Sequence, residues 1–160
     1  MKLQSKVSVL IRAPLGVVWD TFTRFHEWPL WSSNFKQVVR QDGGWRFVYR
    51  GAQDLDLVFV LKATRLEPQR CLEFATVEGS AHTAEATGRV EFAETDEGTR
   101  VALEVRAAGD LGSGLAQKLA DWWASAFVEP DKNLKLILQD LQTHLEGSTR
   151  TEPLPAPPTA

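Results

Sequence analysis

Three histidines, one cysteine and a pair of closely spaced aspartates are the residues with which this chain could do chemistry. His26, His82 and His144 fall in three different segments. No two of them have the His-Glu-x-x-His spacing that brings imidazoles together on one helix face. A single cysteine cannot build a zinc knuckle. Cys71 opens a strand pattern on the outward parity and has no histidine near it in sequence, so it reads as a structural thiol rather than a nucleophile. Asp54 and Asp56 would share one strand face, as a pair of catalytic carboxylates would. They alternate with Leu55 and Leu57, which marks their face as the solvated one. The run Gly109-Asp110-Leu111-Gly112-Ser113-Gly114 lacks the Lys-Ser/Thr ending of a phosphate loop and reads as a gate or a plain loop. Neither a metal nor another cofactor is expected.

The polar residues that strand parity turns inward are Tyr49, Thr76 and His82. Each reads either as a satisfied core or rim group or as a hydrogen-bond anchor for a ligand carbonyl or hydroxyl. His82 stands near the hairpin end of its strand, which favours simple rim exposure. Acid–base catalysis would need such a group deep in a pocket.

The elements that must position these groups follow from periodicity. Val7, Val9 and Ile11 alternate with polar neighbours in a first strand from Lys6 to Arg12. Pro14 starts a helix running to about Arg24, and a shorter one follows, ending near Ser33. Six further strands are expected at roughly Phe35–Gln41, Trp45–Arg50, Leu55–Leu66, Cys71–Val77, His82–Glu94 and Thr99–Ala107. Turn residues such as Asp42-Gly43-Gly44, Glu78-Gly79-Ser80 and Asp96-Glu97-Gly98 separate them. Short links imply successive antiparallel hairpins, and the first strand most simply pairs beside the last. Inward residues of the sixth strand shrink from Phe92 and Val90 to Gly88, Ala86 and Ala84, which predicts space at that end.

A long apolar stripe runs from Leu115 through Leu119, Trp122 and Ala126 to Leu134, Leu138, Leu141 and Leu145. It predicts one C-terminal helix over Leu111–Glu146. Pro130 breaks its hydrogen-bond ladder, so a kink near Glu129 is expected, the alternative being a second helix that opens at Pro130. The aromatic half (Trp122, Trp123, Phe127) is expected to roof a cavity and the leucine half to seal a core. Gly147 is expected to stop the helix. The residues from 148 to 160 are rich in proline and read as a disordered tail.

Composition narrows the function. A formal net charge of −3 without a basic run argues against nucleic acid. No apolar run approaches the roughly 18 residues of a membrane span, so no integral membrane association is expected. One cysteine suits a reducing cytoplasm, the expected location. Six tryptophans in 160 residues supply more aromatic bulk than a small core needs and hint at a lined cavity.

Several local patterns carry a family resemblance. They are Ile11-x-Ala13-Pro14-x-x-x-Val18-Trp19, Trp28-Pro29-x-Trp31, Glu67-Pro68-x-Arg70-x-Leu72 and Gly98-Thr99-Arg100-Val101. Over Lys6–Glu146 the chain resembles the START-like (SRPBCC) superfamily, and within it the polyketide cyclase/dehydrase-like branch. The resemblance implies an α+β helix-grip fold, with a seven-stranded curved antiparallel sheet in the order β-α-α-β6-α wrapped around the C-terminal helix. It also implies a deep cavity for an apolar small molecule such as a lipid or polyketide. The domain would span residues 1–147. The expected ligand-binding residues are Trp31, Tyr49, Phe59, Phe74, His82, Trp122, Trp123 and Phe127. The expected function is binding of a hydrophobic small molecule, with transport or modification as extensions. One alternative is a polyketide cyclase or aromatase that moves protons with His82 or Tyr49. Another is a protein-interaction module using outer-face charges such as Glu104 and Arg106, its protein partner unspecified.

Overall fold

Alternation governs the first strand: Val7, Val9 and Ile11 are buried while Lys6, Ser8 and Arg12 are exposed. The computed structural model describes residues 2–50, 56–81, 84–109 and 130–151. The elements in order are β1 (Lys2–Ile11), α1 (Leu15–Thr23), a 3₁₀ turn (Phe25–Glu27), α2 (Trp28–Trp31), β2 (Phe35–Gln41), β3 (Gly44–Arg50), β4 (Asp56–Glu67), β5 (Cys71–Thr76), β6 (Ala84–Thr95), β7 (Gly98–Gly109) and α3 (Pro130–Thr151). The seven strands form one sheet in the order β1-β7-β6-β5-β4-β3-β2, and every neighbouring pair is antiparallel. β1 pairs with β7, as the intervening helices required, because a strand cut off from the meander can add only at a free edge.

The β2–β3 hairpin shows how local chemistry fixes register. Asp42 and Gly43 both have positive φ, 55° and 79°, the two left-handed positions of a two-residue turn matched to sheet twist. Gly44 then lies so close to the Leu61 carbonyl that a Cβ there would collide with it.

One face of the sheet carries the core, and α3 lies across it. Leu138 and Leu141 are fully buried with Ile11, Val18, Val90 and Val101, and Ile137 and Leu145 extend the same face. Each such side chain contributes about 1.5–3 kcal/mol by burial. Three polar ties fix the pose of α3. Gln142 Nε2 donates to the Leu10 carbonyl at 2.8 Å, and Glu146 Oε2 accepts from the Arg12 amide at 3.2 Å. Asp140 Oδ2 accepts from both the amide (3.0 Å) and the hydroxyl (2.6 Å) of Ser33, in the link between α2 and β2. A curved sheet held against one helix in this way is the helix-grip fold.

Two expectations require correction. Gly147 does not end α3, which runs on to Thr151. A glycine inside a helix costs only about 1 kcal/mol relative to alanine, less than it takes to halt an anchored helix. The faces of β3 and β4 are also less cleanly divided than strict alternation predicts. Val48 and Val60, on the parity opposite the core, are buried as well. The stretch 111–129, with the expected kink at Glu129, lies outside the described residues, as do Asp54 and Leu55. α3 is described from Pro130 onward.

Candidate functional site

Between the concave side of the sheet and the helices lies a cavity of about 150 Å³. Its wall on the sheet side comes from alternate residues of successive strands. These are Trp45, Phe47 and Tyr49 of β3; Leu57, Phe59, Leu61 and Ala63 of β4; Leu72 and Phe74 of β5; Ala86 of β6; and Leu103 and Val105 of β7; Lys62 of β4, an exposed residue between Leu61 and Ala63, also borders it. Phe22, Phe25, Trp28, Phe35, Leu134 and Ile137 close it from the helical side and the β2 edge. These positions follow from the two-residue period of the strands, which sends every second side chain inward.

Trp28 is the hub of the aromatic wall. Its ring meets Phe22, Phe35 and Phe47 edge-on with centroids 5.1 to 5.2 Å apart, and Phe25 at 5.9 Å. Its indole N–H donates to the Phe22 carbonyl at 2.8 Å, so its polar atom is satisfied and its carbon face is left for packing. Edge-to-face contacts lock these rings against one another and preform the wall.

Phe74 sets the floor. The ring lies over Gly88, where any Cβ would run into it and into the Glu104 carbonyl. The space expected above the small residues of β6 is therefore filled at Gly88 by Phe74, and remains open beside Ala86. Thr76 is spent on structure. Its Oγ1 accepts from the Ala86 amide at 2.8 Å and so takes over a rung where the regular β5–β6 register stops.

Among the described lining residues, Tyr49 brings the only side-chain hydroxyl. It accepts a hydrogen bond from Asn34 Nδ2 at 3.4 Å. Burial holds the phenol above its ordinary titration range; the Asn34 hydrogen bond pulls the other way, and the negative charge of Asp140 adds to the rise. At neutral pH the group is a neutral phenol, suited to hydrogen bonding rather than to accepting a proton.

The residues singled out in the sequence are distributed unevenly. Tyr49, Phe59 and Phe74 line the cavity. Trp31 stands one layer behind it, buried, its ring 5.3 Å from that of Trp28, and its indole N–H has no hydrogen-bond partner among the described residues. His82, Trp122, Trp123 and Phe127 lie outside the described residues. His26 is exposed and stacks on Trp45 with centroids 6.1 Å apart, while His144 belongs to α3. Cys71 is buried among outer-face residues, away from the cavity. Sequence reasoning passed over Trp28, Phe22, Phe25 and Phe35 as ligand contacts. A one-turn helix leaves open which of Trp28 and Trp31 faces inward, and only the position of that turn against the sheet decides it.

Residues 2–146 match the family described as polyketide cyclase / dehydrase and lipid transport. The chain belongs to that family. No curated protein matches the sequence. Among solved structures, this family member resembles a protein from Thermus thermophilus, TTHA0849, at a TM-score of 0.68 and 15% identity, over 91% of this chain and 99% of the other. A START superfamily protein from Mycobacterium smegmatis aligns at a TM-score of 0.63 and 13% identity, over 91% and 97% of the two chains. The di-domain ARO/CYC StfQ from the steffimycin biosynthetic pathway aligns at a TM-score of 0.65 and 12% identity, over 93% of this chain and 52% of its own length. At these identities the likenesses show the fold alone. Among the described residues, no helix of this polyketide cyclase / dehydrase and lipid transport family member is long and apolar enough to cross a membrane.

Proposed function

We propose that this protein binds an uncharged, apolar small molecule between the sheet and α3. The observation that carries the reading is the chemistry of the cavity wall. Its described lining side chains are hydrocarbon and aromatic, save for the hydroxyl of Tyr49 and for Lys62, which is exposed. Water in such a space would lack the two to four polar partners it needs, so an apolar guest is the favoured occupant. A dry apolar cavity of about 150 Å³ admits a guest portion about the size of benzene. The guest therefore presents a ring or a short branched hydrocarbon to Phe47, Phe59 and Phe74. Tyr49 supplies one hydrogen bond that orients it.

A charged head inside would be poorly matched: the one charged residue among the described lining, Lys62, is exposed and alternates with Leu61 and Ala63, and an isolated ion in low dielectric is strongly disfavoured. Binding rather than acid–base catalysis fits a wall whose one described hydroxyl is a phenol held neutral. The test is titration with N-phenyl-1-naphthylamine, an uncharged fluorescent probe, together with mass spectrometry of an organic extract of gently purified protein. Saturable probe binding that the extracted compound displaces supports the reading. A protein that neither binds the probe nor carries a co-purifying apolar compound refutes it.

A further inference from the structure

The outer face of the sheet is organised in rows of charge. Arg65, Glu73, Arg89, Glu104 and Lys6 stand opposite one another in register across β4, β5, β6, β7 and β1, alternating in sign. Arg65 bridges to Glu67 and Glu73, and Arg89 to Glu73 and Glu91, so these two guanidinium groups are paired. In the next row the long side chains give way to short ones. Cys71 sits between Glu67 and Glu91, and Ala102 lies beside Glu91. One row further, Ala93 faces Arg100. The missing side-chain length leaves a groove of about 300 Å³ whose floor includes Cys71, Ala93 and Ala102.

Four arginines line it, Arg65, Arg70, Arg89 and Arg100, together with the carboxylates of Glu67 and Glu91, which bridge to Arg65 and Arg89 and leave two guanidinium groups in excess; Arg70 also acts electrostatically on Glu67. Arg65 and Arg89 approach from one row, Arg100 from the other side, and Arg70 from the turn that precedes β5. Among the described residues, neither Arg70 nor Arg100 has a carboxylate within ion-pair distance. An alternating charge lattice needs no such surplus. Two unpaired planar forks over a concave, small-residue floor are a geometry that a tetrahedral oxyanion satisfies, each fork offering parallel N–H donors.

We propose that this groove is a second binding site, on the side of the sheet opposite the cavity, for the phosphate of a phosphate monoester. The dianion matches the two unpaired guanidinium groups, and the volume admits a phosphate with a small part of whatever bears it. The same chemistry is presented by a free phosphorylated small molecule and by a phosphatidate headgroup.

The probe is inorganic phosphate, titrated into the full chain at constant ionic strength and followed by amide chemical shifts. Saturable shifts concentrated at Cys71, Glu91, Ala93, Arg100 and Ala102 are expected. They should weaken about tenfold or more in affinity, corresponding to about 1.4 kcal/mol, in Arg70→Ala/Arg100→Ala. Both arginines are exposed, and an unchanged urea midpoint confirms that the variant is folded. Arg24→Ala, which removes a cation elsewhere on the surface, should leave the titration unchanged. Co-sedimentation with phosphatidate vesicles but not phosphatidylcholine vesicles assigns the headgroup as the source, and phosphate binding without co-sedimentation assigns the free monoester. Linear shifts scattered over the surface, equal shifts with chloride, or undiminished binding in the double variant would overturn the proposal.

Discussion

Filling the cavity should strengthen the fold and abolish binding. Ala86→Leu places about three extra carbons into existing apolar space beside Phe74, worth about 2.4 kcal/mol at about 0.8 kcal/mol per buried methylene. Fixing the leucine rotamer costs about 0.5–1 kcal/mol, so a net stabilisation of about 1.5 kcal/mol is expected. The ceiling is set by the cavity itself: 150 Å³ at about 24 cal/mol per Å³ corresponds to about 3.6 kcal/mol. Urea denaturation followed by tryptophan fluorescence and far-ultraviolet circular dichroism measures the change, and N-phenyl-1-naphthylamine titration measures the lost guest space. The expected pair of results is a higher midpoint with an unchanged slope and a Kd raised about tenfold or more, the signature of space kept open at the expense of stability. A variant that loses stability by more than about 1 kcal/mol would mean the space is already filled, since overpacking costs about 1–3 kcal/mol. Unchanged probe binding would mean that the guest does not use this cavity. Either result refutes the reasoning.

Three further outcomes follow from named contacts. Gly88→Ala should destabilise by about 1–3 kcal/mol, because the methyl must displace the Phe74 ring and crowd the Glu104 carbonyl; a neutral urea midpoint would contradict the packing described. Thr99 is fully buried and its hydroxyl donates to the Ala13 carbonyl at 2.9 Å. Thr99→Val should therefore cost about 1–3 kcal/mol while Thr99→Ser retains the bond, and equal urea midpoints for the two variants would exclude it. Because burial raises the Tyr49 pKa in the folded state, its contribution is fully present below the ordinary phenol value of 10 and is lost as pH climbs from there through the raised value. Wild-type protein should therefore lose more stability than Tyr49→Phe between pH 9 and pH 11, and parallel profiles in urea denaturation would refute a buried phenol.

Much of the fold was legible because its signals are local and repeated. Val7, Val9 and Ile11 alternate, Asp42-Gly43 has the chemistry of a two-residue hairpin turn, and Leu138, Leu141 and Leu145 recur at helical spacing. Strand limits lay within a few residues of those observed, β1 starting four residues earlier than its alternation suggested. The sheet half of the cavity was legible for the same reason: parity alone turns Tyr49, Phe59 and Phe74 inward.

What was not legible depends on contacts between distant segments. Nothing local indicates that Phe74 reclines on Gly88, that Trp28 rather than Trp31 meets the β3 aromatics, or that Asp140 reaches back to Ser33. Gly147 misled because glycine marks a helix stop only where the chain must take up a left-handed conformation, and here the helix continues through it. The arginine groove was missed because outward residues were read strand by strand. Its short floor and unpaired guanidinium groups emerge only when β4 to β7 are set in register.

Binding as proposed requires that the space between the sheet and α3 accept an apolar guest. Crystals pressurised with xenon test it most directly, since xenon enters apolar cavities without needing hydrogen bonds. A strong peak bounded by Phe47, Phe59, Phe74 and Ala86 is predicted, and it should vanish in Ala86→Leu. Side-chain density occupying that volume in the wild type, with no xenon peak, would contradict the account.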